Sequence, residues 1–255
     1  MFSPSKNVVG RLAQWFLWSL LVLNVHGEVS LEKYFRCHRT DPQFNKCVID
    51  ILNELQPIRA DGIPDLGLKP FDPLVIPKLV MDDVEGVKFK QVLTDITITG
   101  LKQAKVIKGD FTKLPNSMEM TWEVPDLRVK NNYTMEGVIM GIPLKGKGQS
   151  SFNCTQIHDK VKLKTELVKI NGEDYLQVKD VKYTIEPPKT AKLRFTNTLS
   201  KDKKLTEATS KMFNDNWRTL FDTFKNVRNA DIERVIQDGL NQFLGLYPYD
   251  KMFPA

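Results

Sequence analysis

A change of hydrophobic period constrains this chain more than any other feature. From about Val84 to Thr196, apolar and polar side chains alternate. Met118, Met120, Trp122 and Val124 are interleaved with Glu119, Thr121 and Glu123, while Val161, Leu163 and Leu167 alternate with lysines. Leu176 and Val178, then Leu193 and Phe195, repeat the pattern. Period two with one polar face predicts half-buried antiparallel strands. Turn residues at Asn131-Asn132, Gly146–Gly148, Asn171-Gly172 and Pro187-Pro188 recur at hairpin intervals. Beyond Thr196 the period becomes helical. Met212, Phe213, Trp217, Leu220, Phe221, Phe224, Val227, Ile232, Val235, Ile236, Leu240, Phe243 and Leu244 follow it. They predict one stripe of about 35 residues, about 50 Å long, softened only at Asn226–Asn229. A single small neighbour cannot bury so long a stripe. The expected fold is therefore α+β, a long C-terminal α-helix wrapped by a highly curved antiparallel β-sheet. Such a wrap encloses an elongated apolar interior, and the residues alone leave open whether it is packed solid or forms a tunnel.

The chain ahead of the strands reads differently. Lys6 and Arg11 precede the apolar run LAQWFLWSLLVL, and Val25 and Gly27 stand at the −3 and −1 positions of a signal-peptidase site. Residues 1–27 are therefore expected to be a secretory signal, with 28–255 as a single secreted domain. No apolar run reaches the roughly 20 residues of a membrane span. A helical pattern follows from Leu31 to Gln56, carrying Cys47, Val48, Ile51, Leu52 and Leu55, and Pro57 is expected to end it. The stretch Arg59–Leu79 holds prolines at 64, 70, 73 and 77 and reads as extended loop.

The net charge of +6 falls to +4 without the two cations of the leader. The charge is mostly lysine, scattered singly along alternating strands, which is the pattern of a solvated sheet face. Nucleic-acid recognition favours clustered arginine, so no nucleic-acid partner is expected.

Three cysteines in a secreted chain allow one bridge and one leftover thiol. Cys37 and Cys47, ten apart, are the expected pair; closing so short a loop stabilises by about 2–3 kcal/mol. Cys154, beside Phe152 in an alternating strand, reads as a buried small apolar residue, and its pairing with either of the others stays open. Sequons at Asn132-Tyr133-Thr134 and Asn153-Cys154-Thr155 predict glycosylation on solvent-facing positions.

Motifs of catalysis are missing. There is no G-x-S-x-G elbow for a secreted esterase and no H-E-x-x-H or Cys/His cluster for zinc. Gly141–Lys147 approaches a phosphate loop, but position 148 is glycine where Ser or Thr must reach the metal. Asp82-Asp83 reads as a solvated pair in a loop. The chain is expected not to be an enzyme, with no metal and no cofactor.

Four stretches together resemble the insect takeout and juvenile hormone-binding protein family. They are the Cys37–Cys47 pair behind a leader, GIPDLGLKPFDPL at 62–74, IMGIPLKGKGQSSFN at 139–153, and a terminal block. That block runs from LRFTNTLSKDKKLTEATSKMFNDNW, with Asn214, Asn216 and Trp217 at its N-x-N-W element, to the Tyr247–Phe253 tail. The chain departs from the family at Ser200–Lys204, where a glycine-aspartate turn is common, and near Val227-Arg228, where a mid-helix proline is usual. It also lacks the fourth cysteine of the hormone carriers, so the takeout branch fits better.

The resemblance implies a tubular lipid-binding fold of super-roll type. It implies a monomeric extracellular carrier of an elongated apolar ligand, terpenoid or fatty-acid-like, in a tunnel between helix and sheet. A protein-interaction module or a lipid-surface binder is the alternative. The expected lining is Met120, Trp122, Tyr133, Met135, Ile139 and Phe152 from the sheet, with Phe213, Trp217, Leu220, Phe221 and Phe224 from the helix. If Asn132 and Asn153 carry sugars, Tyr133, Met135, Ile139, Phe152 and Cys154 face inward by alternation. Val48, Ile51 and Leu52 are expected to form a gate that the bridge holds near one cavity end. An interior without convergent charges is not expected to bind nucleotides.

Overall fold

The alternation between residues 117 and 170 produces two very long strands, β4 (Ser117–Ile139) and β5 (Ile142–Ile170). They pair antiparallel in one register, from Ser117 opposite Lys164 to Ile139 opposite Ile142. The turn between them includes Gly141 at φ +77°, a conformation glycine adopts without strain. A straight strand of the 23 residues in β4 would measure about 75 Å, so the pair must coil to fit a domain of this size.

This computed structural model describes residues 30–81, 88–139, 141–196, 203–224 and 230–255. The chain divides into two units, Met1–Leu31 and Glu32–Ala255. Nearly all of the first, including the expected leader 1–27, lies outside the described residues, as do Asp82-Asp83, Asn226–Asn229 and the Phe224 side chain. The fold below is that of the second unit.

Each long strand is flanked by two shorter ones. β2 (Phe89–Thr99) and β3 (Lys105–Asp110) pair with successive parts of β4, while β6 (Glu173–Ile185) and β7 (Thr190–Thr196) do the same along β5. β1 (Leu74–Met81) pairs with β2 and is a sheet edge. Pro77 sits within β1, which an edge strand tolerates because the missing N–H removes no inner ladder bond.

The helices are α1 (Phe44–Asp61), α2 (Lys203–Asp215), α3 (Trp217–Phe224), α4 (Ala230–Leu244) and α5 (Tyr249–Met252). α1 packs on β3, α2 on β7, and α4 on β6.

The structure differs from the sequence expectations at four places. First, the described part of the helical stripe lies in three helices, α2, α3 and α4; residues 225–229, between α3 and α4, lie outside the described residues. At the α2–α3 junction the Asn216 side chain donates to the Met212 carbonyl, 2.9 Å, alongside its own N–H, and Thr223 Oγ1 donates to Thr219 O, 2.8 Å. Side-chain bonds to the carbonyl four residues back compete with regular helix geometry.

Second, α1 passes through Pro57 to Asp61. Anchors on both sides offset the lost bond: Leu55 and Ala60 are buried, and Gln56 Nε2 donates to Leu101 O, 2.7 Å. Third, the proline-rich stretch contributes the end of α1 and the start of β1. Fourth, Asn131-Asn132 and Gly146–Gly148 lie inside β4 and β5 and make no turn. Gly146 and Gly148 face Met135 and Tyr133 across the ladder and leave room for those large side chains. Asn171-Gly172 does turn between β5 and β6, and Pro187-Pro188 lies between β6 and β7.

Candidate functional site

Along the two long strands the buried face changes phase near the middle. On β4 the buried positions are Met118, Met120 and Val124, then Tyr133, Met135 and Ile139. On β5 they are Leu144, Ser150 and Cys154, then Ile157, Val161 and Leu163. Both switches fall where Pro125 lies across from Gln156, whose φ is +48°. A local backbone irregularity of this kind turns the next side chain to the other face.

The expected lining residues consequently fall into separate groups. Tyr133, Met135 and Ile139 join Phe89, Leu144, Phe195 and Phe213 in one apolar cluster, with Leu220 half-buried against it. Phe195 stacks edge-on between Tyr133 and Phe213, with ring centroids 5.1 and 5.2 Å apart. Trp122 and Phe152 belong to a second cluster, packed on Val124, Cys154 and Ile157. Met120 is buried farther along β4, and Trp217 and Phe221 on α3 are half-buried. Asn132 and Asn153 are both exposed, and the Asn132 amide donates to Asp95 Oδ2, 2.8 Å.

Two polar features interrupt this apolar face. The Tyr133 hydroxyl belongs to a residue only 3% exposed and has no hydrogen-bond partner among the described residues. Burial raises its pKa to about 12, so it stays a neutral donor. Near the second cluster, the Tyr183 hydroxyl donates to Asp159 Oδ1, 2.9 Å. Burial pushes the Asp159 carboxyl up to about 6. Strict alternation from Phe152 and Cys154 puts Asp159 on the solvent side; the phase change at Gln156 brings it in. The shift of apolar residues from even positions (152, 154) to odd ones (157, 161, 163) was the signal that could have found it.

Three helices close open sheet edges by the same device. A strand residue whose N–H and C=O point away from its ladder neighbour is clamped by one asparagine side chain. Asn53 on α1 accepts from Val106 N (2.8 Å) and donates to Val106 O (3.0 Å). Asn214 on α2 does so with Leu193 (2.7 and 2.9 Å), and Asn241 on α4 with Val178 (2.7 and 3.1 Å). Neighbouring groups add to each clamp: Asn45 accepts from Phe111 N, Ser210 from Phe195 N, and Gln237 donates to Val178 O. Satisfying the edge positions β3, β7 and β6 in this way protects them from pairing with another chain.

Cys37 and Cys47 form a disulfide with an S–S distance of 2.02 Å, and Cys154 is a buried free thiol whose pKa burial raises to about 12. On α1, Val48 is buried and Ile51 and Leu52 are half-buried. The bridged loop is tied to the C-terminal segment: Arg39 N donates to Pro254 O (2.8 Å), and Phe44 packs edge-on to Phe253. Glu32 pairs with Lys251. At the other end of α1 the Arg59 guanidinium lies 4.7 Å from the Phe243 ring and 5.5 Å from Phe71. Burial lowers its pKa to about 10, which leaves it charged at neutral pH.

Elsewhere, His158 lies between Glu123 (3.2 Å) and Glu186 (3.7 Å) on a partly exposed surface. No group of three or more metal-ligating side chains occurs among the described residues. Outer-face lysines pair across the sheet, as in Lys162–Glu119 (2.9 Å) and Lys179–Glu166 (2.9 Å). A half-open pocket of about 230 Å³, lined by Ser151, Asn153, Lys192 and Arg194, lies on β5 and β7. No helix among the described residues is long and apolar enough to cross a membrane.

This architecture has known counterparts. The crystal structure of Takeout 1 from Epiphyas postvittana superposes with a TM-score of 0.76 at 23% identity, covering 86% of this chain and 99% of that one. In sequence, the circadian clock-controlled protein daywake of Drosophila yakuba is 26% identical over 204 residues, 76% of this chain and 78% of that protein. A putative beta-carotene-binding protein of Schistocerca gregaria is 29% identical over 150 residues, 58% of this chain and 59% of its own length. The family model of haemolymph juvenile hormone binding protein matches residues 16–254. With the match spanning nearly the whole sequence, the chain belongs to the takeout and haemolymph juvenile hormone binding protein family.

Proposed function

We propose that this protein is a secreted, non-enzymatic carrier that holds one elongated apolar molecule between the curved sheet and helices α2 to α4. The observation that carries this reading is the Tyr133 hydroxyl. It is buried among Phe195, Phe213 and Met135 with no acceptor among the described residues. An unsatisfied buried hydroxyl destabilises by about 1–3 kcal/mol, which a bound oxygen atom would relieve. Half-buried Leu220, Trp217 and Phe221 supply apolar surface that a ligand would complete. Family membership supports the class of activity, and the locust relative is named for an apolar polyene. The leader-like segment and the disulfide support secretion. Val48, Ile51 and Leu52 on α1 are the proposed gate, and Asn132 and Asn153 the proposed glycan sites.

Titration with the neutral fluorescent probe N-phenyl-1-naphthylamine tests the reading. Saturable uptake at one probe per chain, reduced by Phe213→Trp filling the cluster, is expected. Absence of saturable uptake by folded protein rejects it.

A further inference from the structure

The second apolar cluster contains a polar pair that packing does not explain. Asp159 on β5 stands opposite Trp122 on β4 and Ile185 on β6, so the three share one face. That face is continued by Val124, Ile157, Phe152 and Cys154. Tyr183 donates its hydroxyl to Asp159 Oδ1, 2.9 Å, and its backbone N–H to Glu233 on α4, 3.2 Å, which fixes the tyrosine between sheet and helix. Among the described residues, Tyr183 is the one hydrogen-bond donor on this carboxylate. An ionised carboxylate accepts at about four lone-pair sites, so the pair as it stands is under-satisfied. With a pKa of about 6, Asp159 is mostly ionised at neutral pH despite its apolar surroundings.

We propose that Asp159, oriented by Tyr183, is the polar anchor of the ligand interior and receives the hydroxyl end of an elongated apolar alcohol. This rests on the carrier reading above, with the two clusters as neighbouring parts of one interior, since Phe152 of the second stands opposite Leu193 of the first. The alcohol O–H donates to the oxygen that Tyr183 leaves open, a charge-assisted bond shorter and stronger than a neutral one. Its chain lies against Trp122 and Ile185, which flank the carboxylate on the neighbouring strands, and continues along the face toward Phe152. A fatty acid of equal length brings a second negative charge to the same point and must acquire a proton or be excluded. Esters and ketones carry no donor for the anion. The anchor therefore selects alcohols over carboxylates by repulsion as much as by attraction.

The test is displacement of N-phenyl-1-naphthylamine from the full-length secreted protein at pH 8 by 1-dodecanol and by dodecanoate. The alcohol is expected to displace the probe at a concentration lower by about tenfold or more, one pK unit's worth of discrimination. In Asp159→Asn the amide still accepts from Tyr183 and can donate to a carboxylate, so the ratio collapses to within about threefold. Asp159→Ser, checked for folding by its urea transition, should collapse it likewise. Equal displacement by the two ligands in the wild type overturns the anchor, as does an undiminished preference for the alcohol in either folded variant. Failure of the probe to bind at all rejects the carrier reading itself, and the anchor with it.

Discussion

Two buried oxygens carry most of the chemistry at the residue scale. Tyr133 is a donor without an acceptor among the described residues, so Tyr133→Phe should leave ligand-free protein equally stable or more stable by about 1 kcal/mol. Urea denaturation of delipidated protein measures this, and a loss exceeding about 1 kcal/mol would mean that the hydroxyl has a partner. Asp159 has the opposite problem, an acceptor with one donor. Its folded pKa lies above the ordinary carboxylate value, so the folded state favours the protonated form. The sign follows: its contribution to stability is intact below about pH 4 and is lost as pH rises through about 6, by roughly 3 kcal/mol in all. Tyr183, His158, the Cys154 thiol and Glu233 face this region, and Asp159→Asn isolates its own share. That variant should be more stable than wild type by about 1–3 kcal/mol at pH 7.5 and indistinguishable from it at pH 4. A wild type that is the more stable at pH 7.5 would refute the assignment. Tyr133 was legible from alternation alone; Asp159 was not, because one positive-φ residue reverses the faces beyond it.

The recurring device at the scale of elements is a helix fastened to a strand edge by one asparagine. Each clamp makes two bonds to a single backbone residue, so Asn214→Ala or Asn241→Ala should cost about 1–3 kcal/mol. The corresponding Asp variants should cost at least as much, because a carboxylate cannot donate to the Leu193 or Val178 carbonyl. Amide exchange at Leu193 and Val178 checks the location, since their N–H groups should lose protection selectively. Asn53 bears on the proposed gate. The bridge was expected to hold the gate helix near one cavity end, and α1, with 18 residues, is also docked along β3. Breaking the bridge by Cys37→Ser should therefore speed release of a bound fluorescent probe modestly. Combining it with Asn53→Ala should speed release further, and a stopped-flow off-rate unchanged in the double variant would rule out a gate at α1. Periodicity placed the strands and the helical stripe but not their interruptions. Asn131-Asn132 has the composition of a turn, yet its place in the continuous β4–β5 ladder overrides that preference. Asn216 looked like one polar residue within a stripe, and only its bond to Met212 O reveals the junction.

The unit Glu32–Ala255 is built on a coiled two-strand spine, β4 and β5, whose concave side is apolar and whose outer side is charged and cross-paired. The curved sheet was legible because alternation over so many residues can be buried only by coiling. The turn at Asn216 was not, since an unbroken 3.6-residue stripe does not show where one helix ends and the next begins. If the concave side is a carrier's interior, the protein should leave the cell with its cargo. Native mass spectrometry of the protein purified from the medium of secreting insect cells examines this without prior choice of ligand. The expected spectrum shows one non-covalent adduct per chain, on the order of a few hundred daltons. The adduct is lost on denaturation and recovered by extraction into hexane. A spectrum of ligand-free protein alone, unchanged after incubation with an apolar extract of the same cells, would contradict the carrier function.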